Sequence, residues 1–429
     1  MIDMSRRACC FVLAALLPLT IISSAAAQTL SPGAPESVGL SSERLQRIAD
    51  AVQRSIDENR LAGAVTLVAR NGKLAWLKAQ GSLDKESGKP MPPDAIFRIC
   101  SMSKPITSAA VMMLYEEGRF LLGDPVSKFI PEFKNPKVLV KPSSGQPYTI
   151  PANGEITIRH LLTHTAGLTY HWNPDLGPLY REKNVAHGIL QYDGTIADSV
   201  RILAGLPLLF HPGEKYEYSL SVDVLGYLVE VVSGMSFDEF LRKRMFEPLG
   251  MKDTQFFVSG AGIERLATAY TWYEGKGLAR FPAEPIVEGP MVYSADYPYR
   301  GQKKLYAGGA GLCSTAVDYA RFCQMMLQNG TLDGKRLLSR KSVELMTQDQ
   351  LGRLQPDMGF GLGFGVAGKT PLEELGSPGQ YSWGGFFYTT FFTDPKEQMI
   401  GILMAQLHPT GGLNLDRRFW TLSYQALNE

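Results

Sequence analysis

Stretches of strand character sit at the two ends of this 429-residue chain, with helix-like stretches between them. No other feature restricts the fold as strongly. After Gly63, Ala64 to Ala69 is a run of small and β-branched residues that reads as a buried strand. Asn71-Gly72 is a hairpin turn signal, and Lys73 to Lys78 forms the return. Near the other end, Phe360–Val366, Gly385–Thr393 and Met399–Gln406 have the same character, the last two separated by the turn signal Asp394-Pro395-Lys396-Glu397. Strands this far apart along the chain pair most simply by joining in one sheet. The expected class is therefore α+β: an antiparallel sheet built from N- and C-terminal strands, flanked by helices, with a mainly helical second lobe.

The helices are read from caps and periodicity. Ser41-Ser42-Glu43 precedes Leu45, Ile48, Val52 and Ile56, which fall on one helical face. Pro105–Tyr115, Asp223–Val232, Thr315–Leu327 and Leu413–Leu427 read as further helices. On this reading residues 35–100 and 350–429 form an α/β lobe and residues 101–350 a helical lobe. The Gly- and Pro-rich stretches Lys134–Glu155 and Tyr273–Gly311 are too long for simple connections. They are expected to wall a cleft between the lobes.

The first 27 residues read as an export signal. Arg6 and Arg7 precede the uncharged run Ala8 to Ile22, and Ala25-Ala26-Ala27 offers a small-residue cleavage site. The run is shorter than the roughly 20 residues of a membrane span, and Pro18 interrupts it. A periplasmic or secreted protein with no integral span after signal removal is expected. Without that segment the basic and acidic residues balance at 41 each, which excludes the long-range attraction of a nucleic-acid or anionic-membrane binder. No Gly-rich phosphate loop is present, so no nucleotide cofactor is expected. Cys100, Cys313 and Cys323 remain after Cys9 and Cys10 depart. Their spacing matches no metal site, and a Cys313–Cys323 bridge is disfavoured if both lie on one helix.

Three short segments carry reactive groups. In Ser101-Met102-Ser103-Lys104 a hydroxyl and an amine stand three positions apart, so on a helix they share a face. A serine hydroxyl is a poor nucleophile until a neighbour accepts its proton. Bringing an ordinary lysine from about 10.4 to about 7.5 takes roughly 4 kcal/mol, which burial or a nearby cation supplies. Ser82-Leu83-Asp84-Lys85 has the same spacing but stands in a polar turn with no apolar helix behind it. Tyr218 precedes an amphipathic helix, and a tyrosine beside a cationic lysine can relay protons. Trp383-Gly384-Gly385 opens the expected Gly385–Thr393 strand. Glycines there let a carbonyl approach the N–H groups of an edge strand.

Together these segments resemble the serine β-lactamase-like hydrolases, the group spanning class C β-lactamases, D-alanyl-D-alanine carboxypeptidases and family VIII carboxylesterases. The likeness extends through Phe97 to Thr107, His160 to Leu168, Asp223 to Glu230 and Gly308 to Ser314, in the family's order over about residues 35–428. It implies a β-lactamase/transpeptidase-like fold and an acyl-enzyme route, with Ser101 as nucleophile and Lys104 and Tyr218 sharing the base role. The backbone N–H groups of Ser101 and Phe386 form the implied oxyanion hole. Water or an alcohol then releases the acyl group.

Two departures from the lactamase pattern bear on the substrate. Position 220, where those enzymes place an asparagine, holds Leu220, and their edge-strand lysine is replaced by Trp383. A site lacking those polar partners suits neutral acyl esters better than anionic lactams. The expected partner is thus a small-molecule ester, as for the family VIII esterases, and the oligomeric state stays open. Phe386, Phe387 and the cluster Tyr170-His171-Trp172 are candidates to line the pocket. His160 and His164 stand four apart but lack the glutamate and third ligand of a zinc site, so no metal is expected and a structural role is assigned to both. The absence of G-x-S-x-G argues against an α/β-hydrolase.

Overall fold

The computed structural model describes residues 29–354, 358–368 and 375–428, and the expected export segment lies outside them. At its centre is a nine-stranded sheet: β1 (Ser31–Pro32), β2 (Gly63–Arg70), β3 (Lys73–Asp84), β4 (Lys89–Pro90), β5 (Gly359–Phe360), β6 (Gly365–Val366), β7 (Tyr381–Gly385), β8 (Thr389–Asp394) and β9 (Met399–Met404). The strand order is β1-β3-β2-β9-β8-β7-β6-β5, with β4 paired to β3 off this path. The two ends of the chain meet where β2 runs antiparallel to β9, Leu67 opposite Ile402. At the rim the sheet is mixed, because Ser31–Pro32 runs parallel to Lys73–Leu74. Asn71 and Gly72 form the predicted turn, with φ of 51° and 72°. Those are the left-handed angles that an Asn-Gly hairpin supplies at little strain.

Two expected strands differ. Gly385–Thr393 is not one strand: Gly385 ends β7, the chain turns through Phe386 and Phe387, and β8 starts at Thr389. Tyr388 takes φ 69° and its N–H returns to the Gly385 carbonyl at 3.1 Å, which closes the turn. Phe360–Val366 is likewise split into β5 and β6. Between them the Leu362 N–H leaves the sheet for the Met346 carbonyl at 2.8 Å.

Strand alternation divides the core between the two faces of the sheet. Val68, Phe392 and Leu403 face α1 (Ser42–Asp57) and a C-terminal helix (Leu415–Gln425), and pack with Leu45, Ile48, Val52, Phe419 and Trp420. Ser41 caps α1, its hydroxyl accepting the Arg44 N–H at 3.2 Å. Leu67, Phe391 and Ile402 point the other way, into the larger core shared with α2 (Ser103–Glu116), α3 (Ser221–Ser233) and α4 (Ala316–Leu327). Each such side chain contributes roughly 1.5–3 kcal/mol relative to exposure. A charge at Ile402 would unpair that layer. The C-terminal helix, Leu415–Gln425, is α5. Though α4 falls within residues 101–350, it packs against β2, β8 and β9.

Every residue of α2 from Ser103 to Leu114 is buried. A helix enclosed on all sides needs no apolar stripe. It runs through the middle of the molecule, where it holds the Ser-Lys pair between sheet and helical layer. Cys313 belongs to a two-residue strand paired with Phe97–Arg98, not to the helix that carries Cys323. Cys100, Cys313 and Cys323 are free and buried. Among the described residues no helix is long and apolar enough to cross a membrane.

Candidate active site

Cys100–Met102 form a single 3-10 turn that leads into α2. Ser101 thus stands just ahead of the first α-helical residue, Ser103, at the N-terminal end of α2. Positions three apart nearly eclipse in such a turn, and Lys104 Nζ donates to Ser101 Oγ at 3.1 Å. Cys100 has a φ of 45°, a strained angle for a residue with a side chain. Its thiol, 3.6 Å from the Tyr297 hydroxyl, is pinned in the core, and burial pushes its pKa up to about 11. A thiol so unwilling to ionise is no competing nucleophile.

Lys104 is completely buried. Its ammonium also donates to the Gly309 carbonyl at 2.7 Å and lies 4.5 Å from the ring centre of Tyr218 and 5.3 Å from that of Tyr170. The Gly309 N–H in turn donates to Asp223 Oδ1 at 3.2 Å. Gly308 makes this approach possible, since a Cβ there would come within 2.5 Å of the Val222 carbonyl on α3. Burial pushes the Asp223 carboxyl up to about 6, while the Lys104 charge pulls it back down. Its Oδ2 has no hydrogen-bond partner among the described residues. Burial, with repulsion from Tyr218 and Asp223, holds the Tyr170 phenol well above its ordinary range.

Tyr218 sits on the extended segment before α3. Its hydroxyl accepts from Trp383 Nε1 at 3.3 Å, and its ring packs 4.9 Å from the His164 ring. His164 is buried, its Nδ1 accepting the Ser219 N–H at 3.2 Å, and desolvation together with the Lys104 charge keeps it neutral. His160 Nδ1 accepts the Thr157 N–H in a capping box at the start of a short helix. Local structure thus occupies Nδ1 of each histidine first noted for its spacing, while His164 Nε2 has no hydrogen-bond partner among the described residues.

Among the described residues, Trp383, Gly384 and Gly385 pair with β8 alone, because β6 reaches only Tyr381 and Ser382. The end of β7 is therefore a free edge even though the strand is interior to the sheet. A Cβ on Gly385 would fall 2.3 Å from the Ile99 carbonyl, so glycine lets this edge close on the segment that carries Ser101. Phe386 follows in the turn, its ring 3.7 Å from that of His408 and 4.9 Å from that of Tyr293. Phe387 is fully buried against Phe281 and belongs to the core rather than to a pocket wall. Leu220 is also fully buried.

Ser101, Lys104, Tyr218 and Trp383 thus come from three distant stretches into one connected cluster, with Gly384, Gly385 and Phe386 alongside. Sequence reasoning assigned no role to the Gly309 carbonyl or Asp223, and named Tyr170 only as a candidate to line the pocket. The segments Gly308–Ser314 and Asp223–Glu230 did stand out as family-like. Which of their atoms face the lysine follows from the packing of α3 on α2, and no short motif encodes that.

A hydroxyl hydrogen-bonded to a buried amine, beside a phenol and a free strand edge, can perform acyl transfer through serine. The chain belongs to the β-lactamase family, whose profile, described as Beta-lactamase, matches residues 48–425. It is a serine hydrolase of that family. It is 35% identical to an uncharacterized protein of Mycobacterium tuberculosis, over 84% of this chain and 89% of that one. Esterase EstB of Burkholderia gladioli is 32% identical, over 84% of this chain and 90% of its own. Among solved structures, EstCE1, described as a hydrolase with promiscuous acyltransferase activity, superposes with a TM-score of 0.77 at 28% identity, covering 90% of this chain and 99% of that one.

Proposed function

We propose that the protein is an exported serine carboxylesterase, periplasmic or secreted, that hydrolyses short-chain acyl esters through an acyl-enzyme on Ser101. One observation carries the reading: the Ser101–Lys104 pair is enclosed together with Tyr218, whose hydroxyl is held by Trp383 where lactamases keep a cation. In the reaction Ser101 Oγ attacks the ester carbonyl carbon while its proton passes to the Lys104–Tyr218 pair. The carbonyl oxygen, now an oxyanion, takes hydrogen bonds from the backbone N–H groups of Ser101 and Phe386. The tetrahedral intermediate collapses, and the departing alkoxide takes the proton. Water repeats the sequence on the acyl-enzyme and releases the acid. An uncharged indole whose N–H is already given to Tyr218, and a buried leucine, supply neither a cation for a lactam carboxylate nor a partner for its side-chain amide, which supports esters over lactams. The name of EstB and the residues Arg6 to Ala27 support esterase activity and export respectively.

Transfer of the acyl group to an alcohol is a second reading, supported by the acyltransferase activity in the description of EstCE1. The test is hydrolysis of p-nitrophenyl butyrate by wild type and Ser101→Ala, with nitrocefin in parallel and with methanol added as a competing acceptor. The variant is expected to lose at least about 1,000-fold, and a fluorophosphonate to label Ser101. Turnover that survives in the variant refutes the nucleophile, and nitrocefin cleaved faster than the ester refutes the substrate class.

A further inference from the structure

The segment Tyr170-His171-Trp172 sends two side chains into the interior in different directions and a third outward. Tyr170 is buried beside Lys104. His171 turns away into the core, its Nε2 bonded to the Val185 carbonyl at 2.9 Å. Trp172 faces out with 45% of its surface exposed. Its ring is stacked on Tyr170 at 4.4 Å and 25°, and lies nearly parallel to Tyr218 at 6.2 Å and 10°. Most exposed apolar side chains stand singly and need no explanation. This one is the outer leaf of a stack whose inner leaf, Tyr218, lies against the ammonium that is hydrogen-bonded to Ser101. The buried Tyr170, the half-buried Tyr218 and the anchored His171 hold the indole in place, so a flat partner meets a surface already ordered.

Resting on the esterase reading above, we propose that Trp172 forms an alcohol-side subsite for esters of benzyl-type alcohols. The planar ring of a benzyl-type alcohol stacks on the exposed indole face while the ester oxygen lies beside Tyr218. The side follows from the chemistry: Tyr218 belongs to the pair that returns a proton to the departing alcohol, and Trp172 lies parallel to that ring. Aromatic stacking of this kind is worth about 2- to 10-fold in affinity beyond simple burial.

The experiment compares kcat/KM for benzyl acetate with that for cyclohexylmethyl acetate, which has similar bulk but no planar ring, in wild type, Trp172→Ala and Trp172→Phe. Wild type is expected to prefer the benzyl ester several-fold. In Trp172→Ala the ratio falls to about one, while Trp172→Phe retains most of the preference. A ratio that is the same in all three proteins overturns the subsite. A ratio lost instead for methyl phenylacetate against methyl cyclohexylacetate overturns the assigned side. A wild type without Ser101-dependent turnover of any ester refutes the esterase reading itself, an outcome distinct from an active enzyme that shows no aromatic preference.

Discussion

Asp223 is the residue whose place is hardest to justify by stability alone. A buried carboxylate with one oxygen unpaired is a burden on the fold. The Gly309 N–H holds its other oxygen, and the Lys104 ammonium is bonded to the carbonyl of that same glycine. Asp223→Asn keeps the shape and removes the charge. Its kcat/KM is expected to differ from wild type above about pH 6, where the carboxyl is ionised, and to converge with it below. A kcat that falls equally at every pH would mean that Asp223 only shapes the Gly309 loop.

At the scale of elements, the working feature is the closure of β7 on the turn that carries Ser101. Gly385→Ala would put a methyl group 2.2 Å from Thr389 Oγ1 and 2.3 Å from the Ile99 carbonyl, so strand and turn must separate. Activity is expected to fall at least about 100-fold, with a stability loss of about 1–3 kcal/mol. Gly384→Ala meets its first atom, the Thr389 carbonyl, at 3.3 Å and is expected to be far milder. Paired kcat/KM and melting measurements on the two variants check the contrast. Much of this architecture was legible beforehand. Asn71-Gly72 marked its hairpin, Ser41 its cap, and the apolar runs at both ends of the chain the strands that meet at β2 and β9. The break at Phe386–Tyr388 was hidden because Gly385 to Thr393 is almost uniformly apolar or β-branched, and a buried strand and a tight hairpin between two buried strands have the same composition there. Ser101, Lys104 and Tyr218 could be picked out because their chemistry is carried by the residue types themselves. The Gly309 carbonyl could not, because every residue has one.

The whole molecule is a sheet covered on both faces, and its enclosed interior takes histidines out of water. Desolvation lowers His171 to about 4, His187 to about 3 and His408 to about 4, all from an ordinary 6.5. Between pH 6.5 and about 4 the unfolded chain therefore binds protons at these sites and the folded chain does not. Their contribution is complete above pH 6.5 and is lost as the pH falls. From pH 7 to pH 5 each of the three loses about 2 kcal/mol. Asp223 and Asp318 act in the opposite sense: burial raises both to about 6, so the folded chain takes up their protons first and regains about 1 kcal/mol from each over the same interval. From these five groups the expectation is a loss of about 3–4 kcal/mol between pH 7 and pH 5, read as a lower urea midpoint at the acid end. His160 and His164, also lowered by burial, act in the same sense. His408→Asn should shrink that loss by about 2 kcal/mol whatever it does to stability at pH 7. Equal midpoints at the two pH values in wild type, or an unchanged difference in the variant, would show that these rings are protonated in the folded protein after all.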